Sequence, residues 1–162
     1  MCGFVGFSGG NYTANEVGSV MSSMLKEITN RGPDSSGQWS DYEAGIHLGH
    51  QRLSILDLSP GGHQPMVSIS GRYVITYNGE IYNHLELRLE LEKKNDNVRW
   101  KGSSDTETLL NCIEMWGIEK TCSKLKGMFA FGVWDKTTQE LSLVRDRIGE
   151  KPLYYGWQGK GC

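Results

Sequence analysis

Long apolar runs, paired cysteines and an excess of either charge are missing from this sequence, and each absence removes a class of function. No apolar stretch approaches the ~20 residues that span a bilayer. No basic start leads into an apolar one, so neither a membrane span nor a signal peptide is read. The net charge of −2 leaves no electrostatic footprint for nucleic acid or an anionic membrane. The 4 cysteines, Cys2, Cys112, Cys122 and Cys162, include no C-x-x-C pair. That argues against a zinc site and, in a chain this long, against a disulfide framework. A reducing cytoplasm is the expected setting. No repeat, linker or low-complexity tract is found.

What is present suits one globular domain. The 162 residues are 38% hydrophobic and 10% aromatic, enough for a core without staples. Glycine is abundant, at 21 residues, which implies tight turns or close backbone approaches. The stretch Met1-Cys2-Gly3-Phe4-Val5-Gly6-Phe7-Ser8-Gly9 stands out. Cys2 is small enough for the initiator methionine to be clipped, which would put a thiol and an α-amine on one residue. Ordinary thiols and α-amines titrate within about one pH unit of each other, so they are matched for proton exchange. That is the logic of an N-terminal nucleophile, although a Met-Cys start alone does not establish one.

Residues 3–8 read as a buried strand ending at Gly9-Gly10. Thr13 and Glu16 form a capping box for a helix whose Val17, Val20, Met21, Met24 and Ile28 recur at helical spacing. That helix should end at Gly32-Pro33. Residues 31–37 read as a turn cluster in which Gly32 and Gly37 suit special backbone angles. A strand is expected over 46–49, with an extended segment beyond it. His47 and His50, three apart, would face opposite sides of it, which argues against a shared metal. Arg52 lies among apolar residues, where a guanidinium usually finds a carboxylate, internal or on a ligand.

Tyr73-Val74-Ile75-Thr76-Tyr77 is a strand expected to stop at Asn78-Gly79. A helix should follow, with Asn83 as N-cap and Arg88–Glu92 and Glu90–Lys94 pairs, although Leu85, Leu87, Leu89 and Leu91 alternate as in a strand. Ser104 and Glu107 form a second capping box before a helix ended by Gly117, and a short helix spans roughly 118–125. Met128–Trp134 is apolar throughout and reads as a strand buried on both faces. It should pair with Glu140–Arg145, and a loop and last short strand close the chain.

Taken together these motifs resemble the glutaminase domain of class II glutamine amidotransferases, of asparagine synthetase type. The matching residues are Met1-Cys2-Gly3, Arg31-Gly32-Pro33-Asp34 with Gly37, His50 through Asp57, Gln64-Pro65-Met66, Asn78 through Asn83 and Gly102 through Glu107. They continue with Gly127 through Phe131, Arg145-Asp146-Arg147 and Lys151 through Tyr155, so they cover almost the whole chain in family order. Asn78-Gly79-Glu80 points to the asparagine synthetase type over the hexosamine-synthesising branch.

The resemblance implies an α+β fold of the N-terminal nucleophile hydrolase kind, a four-layer αββα sandwich of two antiparallel sheets. It implies that Cys2 attacks the side-chain amide of L-glutamine and forms a γ-glutamyl thioester, its own amine serving as base and then acid. The Asn78 amide and the Gly79 N–H are the implied oxyanion donors. Arg52 would grip the α-carboxylate, Glu80 and Asp105 the α-ammonium, and the backbone around Leu53, Ile55 and Leu56 would line the pocket.

No cofactor or metal is expected here. ATP and magnesium belong to the synthetase domain of such enzymes, whose Ser-Gly-Gly-x-Asp-Ser loop is not found, because Ser8-Gly9-Gly10 runs into Asn11-Tyr12. The glutaminase domain of such enzymes also usually runs on past Tyr155 with another strand, so residues 1–162 are read as that domain truncated at its C-terminus, with the synthetase domain as its partner in the full-length protein. The ammonia acceptor is left open: aspartate, or the carboxylate of a sugar or another metabolite. Two other readings are weighed, an idle glutamine-binding scaffold and an amidase for a different acyl group. Retention of Cys2, Arg52, Asn78 and Asp105 argues against the first, and the charged residues for a zwitterion argue against the second.

Overall fold

In the computed structural model, which describes residues 2–10, 12–54, 60–94 and 98–157, two antiparallel sheets stack face to face. The first holds β1 (Gly3–Ser8), β3 (Ile46–Arg52) and β2 (Ser35–Asp41) in that spatial order. The second holds β4 (Met66–Val67), β5 (Tyr73–Ile81), β6 (Gly127–Asp135) and β7 (Glu140–Arg145). Side-chain alternation decides what each face meets. Ile46 and Leu48 of β3 pack on Val74 of β5 and Trp134 of β6, which forms the inter-sheet layer. The opposite face of β5 and β6 carries Tyr73, Ile75, Tyr77, Phe129, Phe131 and Val133 into the main core.

Helices cover both outer faces. α1 (Ala14–Glu27) starts at the expected capping box, with Thr13 and Glu16 bonded reciprocally. It buries Val17, Met21 and Leu25. Gly49 of β3 admits it, since a Cβ there would press on Met21 and Leu25. Over the second sheet lie α2 (His84–Lys94), α3 (Asp105–Trp116) and α4 (Ile118–Lys124). Leu87 and Leu91 of α2 and Leu109, Leu110 and Ile113 of α3 close that core. The order helix, sheet, sheet, helix is the expected αββα sandwich.

Several local expectations need correction. α1 ends at Glu27, and a 3₁₀ turn over Thr29–Arg31 intervenes before Gly32. β2 begins inside the expected turn cluster, at Ser35. Its polar residues carry no strand pattern, and pairing with β3 supplies the order. Gly32 has an extended φ of −157° rather than a special angle. The constraint there is space: a Cβ on Gly32 would run into the backbone of Gln51 and Arg52, and one on Gly37 into the Gln64 carbonyl oxygen.

β5 does not stop at Asn78-Gly79 but continues to Ile81, paired with β6 down to Gly127. Long-range pairing outweighs the local turn preference. Residues 83–94 resolve in favour of helix, with Leu87 and Leu91 buried and Leu85 and Leu89 exposed. Asn83 does not cap its own helix: its amide donates to Lys124 O at 3.0 Å and its oxygen accepts from Lys126 N at 2.9 Å. Glu90 does pair with Lys94, at 3.1 Å. Arg88 turns instead to Glu107, at 3.3 Å, and lies 4.0 Å from the centre of the Trp100 ring. The second capping box is half formed. Ser104 accepts from Glu107 N, while the Glu107 carboxylate accepts from Lys101 N and Gly102 N. Residues 152–157 form no strand.

Two glycine substitutions test the spatial argument by opposite signs. Gly18, inside α1, has open space where a Cβ would go, so Gly18→Ala should stabilise the fold by about 0.5–1 kcal/mol. Gly37→Ala should destabilise it by about 1–3 kcal/mol, because the loop that carries Gln64 must move. Urea unfolding of both variants measures the two signs.

Candidate active site

Cys2 precedes β1, and the pairing of Gly3 with Gln51 sets it beside the end of β3. Its Sγ accepts from Leu53 N at 3.3 Å and lies 3.5 Å from Leu53 O, to which the thiol donates. Its carbonyl accepts from Arg31 Nε at 3.1 Å. Gly3 allows this approach, because a Cβ there would lie 3.1 Å from Arg31 Cβ. Cys2, the residue ahead of β1, is thus held by side chain and backbone together.

The thiol opens on a cleft of about 120 Å³ between the ends of the sheets and the start of α3. Arg52, Leu53, Asn78, Gly79, Glu80 and Asp105 all line it with Cys2. Ile55 and Leu56 lie outside the described residues. Every other residue proposed for the site from sequence therefore meets in one place. Asn78 and Asp105 are buried, Glu80 is exposed, and the Arg52 guanidinium lies against Gly62.

β5 supplies the decisive geometry. On one edge it pairs with β6. On the other edge, beyond the short β4, its alternate N–H groups need other acceptors. Tyr77 N donates to Gln64 Oε1 at 2.7 Å, and Ile81 N donates to Asp105 Oδ2 at 3.0 Å. The same alternation aims the N–H of Gly79, midway between them, into the cleft. A Cβ on Gly79 would collide with Met128 O and with Phe129, so only glycine lets β6 close on β5 there. Asn78, next to it, points into the inter-sheet layer, and among the described residues its side-chain amide has no hydrogen-bond partner.

Asp105 is the first residue of α3, with Ser104 as N-cap. Beside Ile81 N, its Oδ2 accepts the Tyr77 hydroxyl at 2.6 Å. Burial, and then the Asp105 charge, push the Tyr77 phenol well above its ordinary pKa, so it stays a donor. Gln64 Nε2 donates to Thr106 Oγ1 at 3.3 Å, tying the loop to α3. His50 Nε2 donates to Tyr77 O at 3.0 Å while its Nδ1 is buried without a partner. Burial chiefly, with His63 and Arg52 nearby, pushes His50 down to about 4. Among the described residues no group of His, Cys, Asp and Glu is disposed to hold a metal ion, and no helix is long and apolar enough to cross a membrane.

Sequence reasoning did not assign Arg31, Tyr77 or Lys151 to the site. Arg31 grips the Cys2 carbonyl, and Tyr77 and the buried Lys151 line the cleft. Nothing in local spacing signals these contacts, which join residues far apart in the chain.

The αββα sandwich, with a cleft beside Cys2 at the ends of its sheets, places the chain among the amidotransferase domains. Comparison agrees: a family model described as the glutamine amidotransferase domain matches residues 1–162, and the chain belongs to that family. Within it the chain is of asparagine synthetase type. The glutamine-hydrolysing asparagine synthetase 1 of Bacillus subtilis is 43% identical over 157 residues, covering 96% of this chain and 24% of that protein. Amidase chry2 of Gibberella zeae is 38% identical over 145 residues, covering 90% of this chain and 21% of its own. The glutamine phosphoribosylpyrophosphate amidotransferase of B. subtilis, solved with ADP and GMP, superposes with a TM-score of 0.61 at 24% identity, over 83% of this chain and 30% of that one. That likeness shows the shared fold. The chain spans about a quarter of the length of these curated relatives.

The lowered pKa of His50 has a signed consequence. Between pH 6.5 and about 4 the unfolded chain takes up a proton that the native site refuses. Stability should therefore fall by about 3 kcal/mol as pH drops through that window. His50→Gln, which keeps a donor for Tyr77 O, should flatten the slope. Unfolding free energies at pH 4.5, 5.5 and 7 measure it, and an equal slope in both proteins refutes the assignment.

Proposed function

We propose that this chain hydrolyses the side-chain amide of L-glutamine to glutamate and ammonia through a thioester on Cys2. The observation that carries this reading is the convergence of Cys2, Arg52, Asn78, Gly79 and Asp105 on one cleft. With Met1 removed, the α-amine of Cys2 takes the thiol proton, and Sγ attacks the carboxamide carbon. The developing oxyanion is received by the Asn78 amide and the Gly79 N–H, which both line the cleft and have no hydrogen-bond partner among the described residues. Collapse breaks the C–N bond, and the amine returns its proton to the departing nitrogen, which leaves as ammonia. Water then attacks the γ-glutamyl thioester, again giving up its proton to the amine, and glutamate is released with the thiol restored.

The substrate's charged ends account for the rest of the cleft. Arg52 presents a planar fork to the α-carboxylate. Asp105 receives the α-ammonium, with Glu80 at the open side. The ammonia, in this reading, serves an ATP-dependent amidation in a synthetase domain outside these 162 residues, with ATP and magnesium bound there. The glutamine-hydrolysing asparagine synthetases among the relatives favour aspartate as acceptor.

Intact mass of the untagged protein, before and after an electrophilic glutamine analogue, tests the nucleophile. The expected result is loss of Met1 and one adduct on Cys2. Cys2→Ala should bind glutamine without turning it over, and wild-type turnover by that variant would falsify the mechanism. An uncleaved N-terminal extension should silence the enzyme, since the base is then an amide. Asn78→Ala should lower kcat by about 10²–10³ with a smaller change in KM, as for loss of one oxyanion donor. Steady-state glutaminase kinetics read that split.

A further inference from the structure

We propose that Tyr77 is a positioning residue. Its hydroxyl aims the Asp105 carboxylate at the substrate's α-ammonium and so sets the demand for an amino acid over a plain carboxamide. This rests on the reading of the cleft as a glutamine site. The geometry is asymmetric. Both donors to Asp105, the Tyr77 hydroxyl at 2.6 Å and Ile81 N at 3.0 Å, meet the same oxygen, Oδ2. No donor among the described residues reaches Oδ1. Two donors on one oxygen stop the carboxylate from turning about its last bond. With Ile81 N alone it keeps one anchor and can swing. The pair therefore presents one unspent oxygen, in a fixed direction, to the cleft that Asp105 lines.

Tyr77 is itself held too firmly to follow the carboxylate. Its ring is 3% exposed in the core above β5. Its N–H is taken by Gln64 Oε1 at 2.7 Å and its carbonyl by His50 Nε2 at 3.0 Å. Phenylalanine would fill the same core volume, so packing does not call for the hydroxyl. The group it serves is Asp105, a buried carboxylate at a substrate cleft. A purely structural role, satisfying a buried charge, would affect all substrates alike. A positioning role affects only those that carry the amine.

The experiment compares glutamine with 4-carbamoylbutanoate, which is glutamine without its α-amine, as substrates of the 162-residue chain and of Y77F and D105N. Wild type should prefer glutamine strongly. In Y77F that preference should fall about tenfold, the order expected for one lost hydrogen bond to a charged group. The loss should appear as a rise in KM for glutamine that exceeds any fall in kcat. An unchanged preference in Y77F, or an equal loss on both substrates, overturns the proposal. Failure of the underlying reading looks different: D105N would then keep the full preference, or wild type would not turn over glutamine at all. If Y77F does not fold, Y77M removes the hydroxyl at similar bulk and is judged by the same ratio.

Discussion

The exposed edge of β5 between Tyr77 and Ile81 is the constraint on which the site depends. A strand bonded on one side only presents every second N–H to whatever lies beyond it, and a buried N–H without an acceptor is costly. Here the Gln64 and Asp105 side chains close the two outer positions. The middle one, Gly79, is left facing the cleft. A sheet with a full neighbouring strand at this point would have satisfied all three and had nothing to offer a substrate. The shortness of β4, two residues at Met66–Val67, therefore matters as much as any residue in the cleft.

Around that edge the two sheets supply reach. Stacking Ile46 and Leu48 on Val74 and Trp134 fixes how β1 and β3 lie over β5. The thiol of Cys2 then arrives at the cleft that Gly79 lines, although 77 positions separate them in sequence. Glycines at the crossings work by absence of volume: Gly79 admits the β6 backbone, Gly32 the end of β3, and Gly37 the loop of Gln64. Arg88 of α2 fastens the approach to α3 by donating to Gly102 O and Ser104 O, which steadies the helix start where Asp105 sits.

The electrostatics follow from burial. His50 is kept neutral by its apolar surroundings and by the nearby positive charges, so it serves Tyr77 O as a neutral donor. The same burial keeps the Tyr77 phenol protonated. Two titratable groups are thus held in the protonation states that fix the β5 backbone and the Asp105 carboxylate. Neither is exposed to react.

The sequence by itself determined the elements with strong local signals. The Thr13 capping box, the β6–β7 hairpin and the αββα class were legible, and so was the membership of Cys2, Arg52, Asn78, Gly79, Glu80 and Asp105 in one site, through ordered motifs. Tertiary structure decided what local preference misstates. Asn78-Gly79 reads as a turn, yet lies mid-strand, because pairing with β6 over nine positions outweighs a two-residue propensity. Asn83 reads as a cap, yet bridges to the start of β6. Polar β2 has no pattern at all until β3 pairs with it. The roles of Arg31, Gln64 and Tyr77 were likewise invisible in sequence. Their partners are 29, 13 and 28 residues away along the chain, and only the packing of sheet, loop and helix brings donor and acceptor within hydrogen-bond distance.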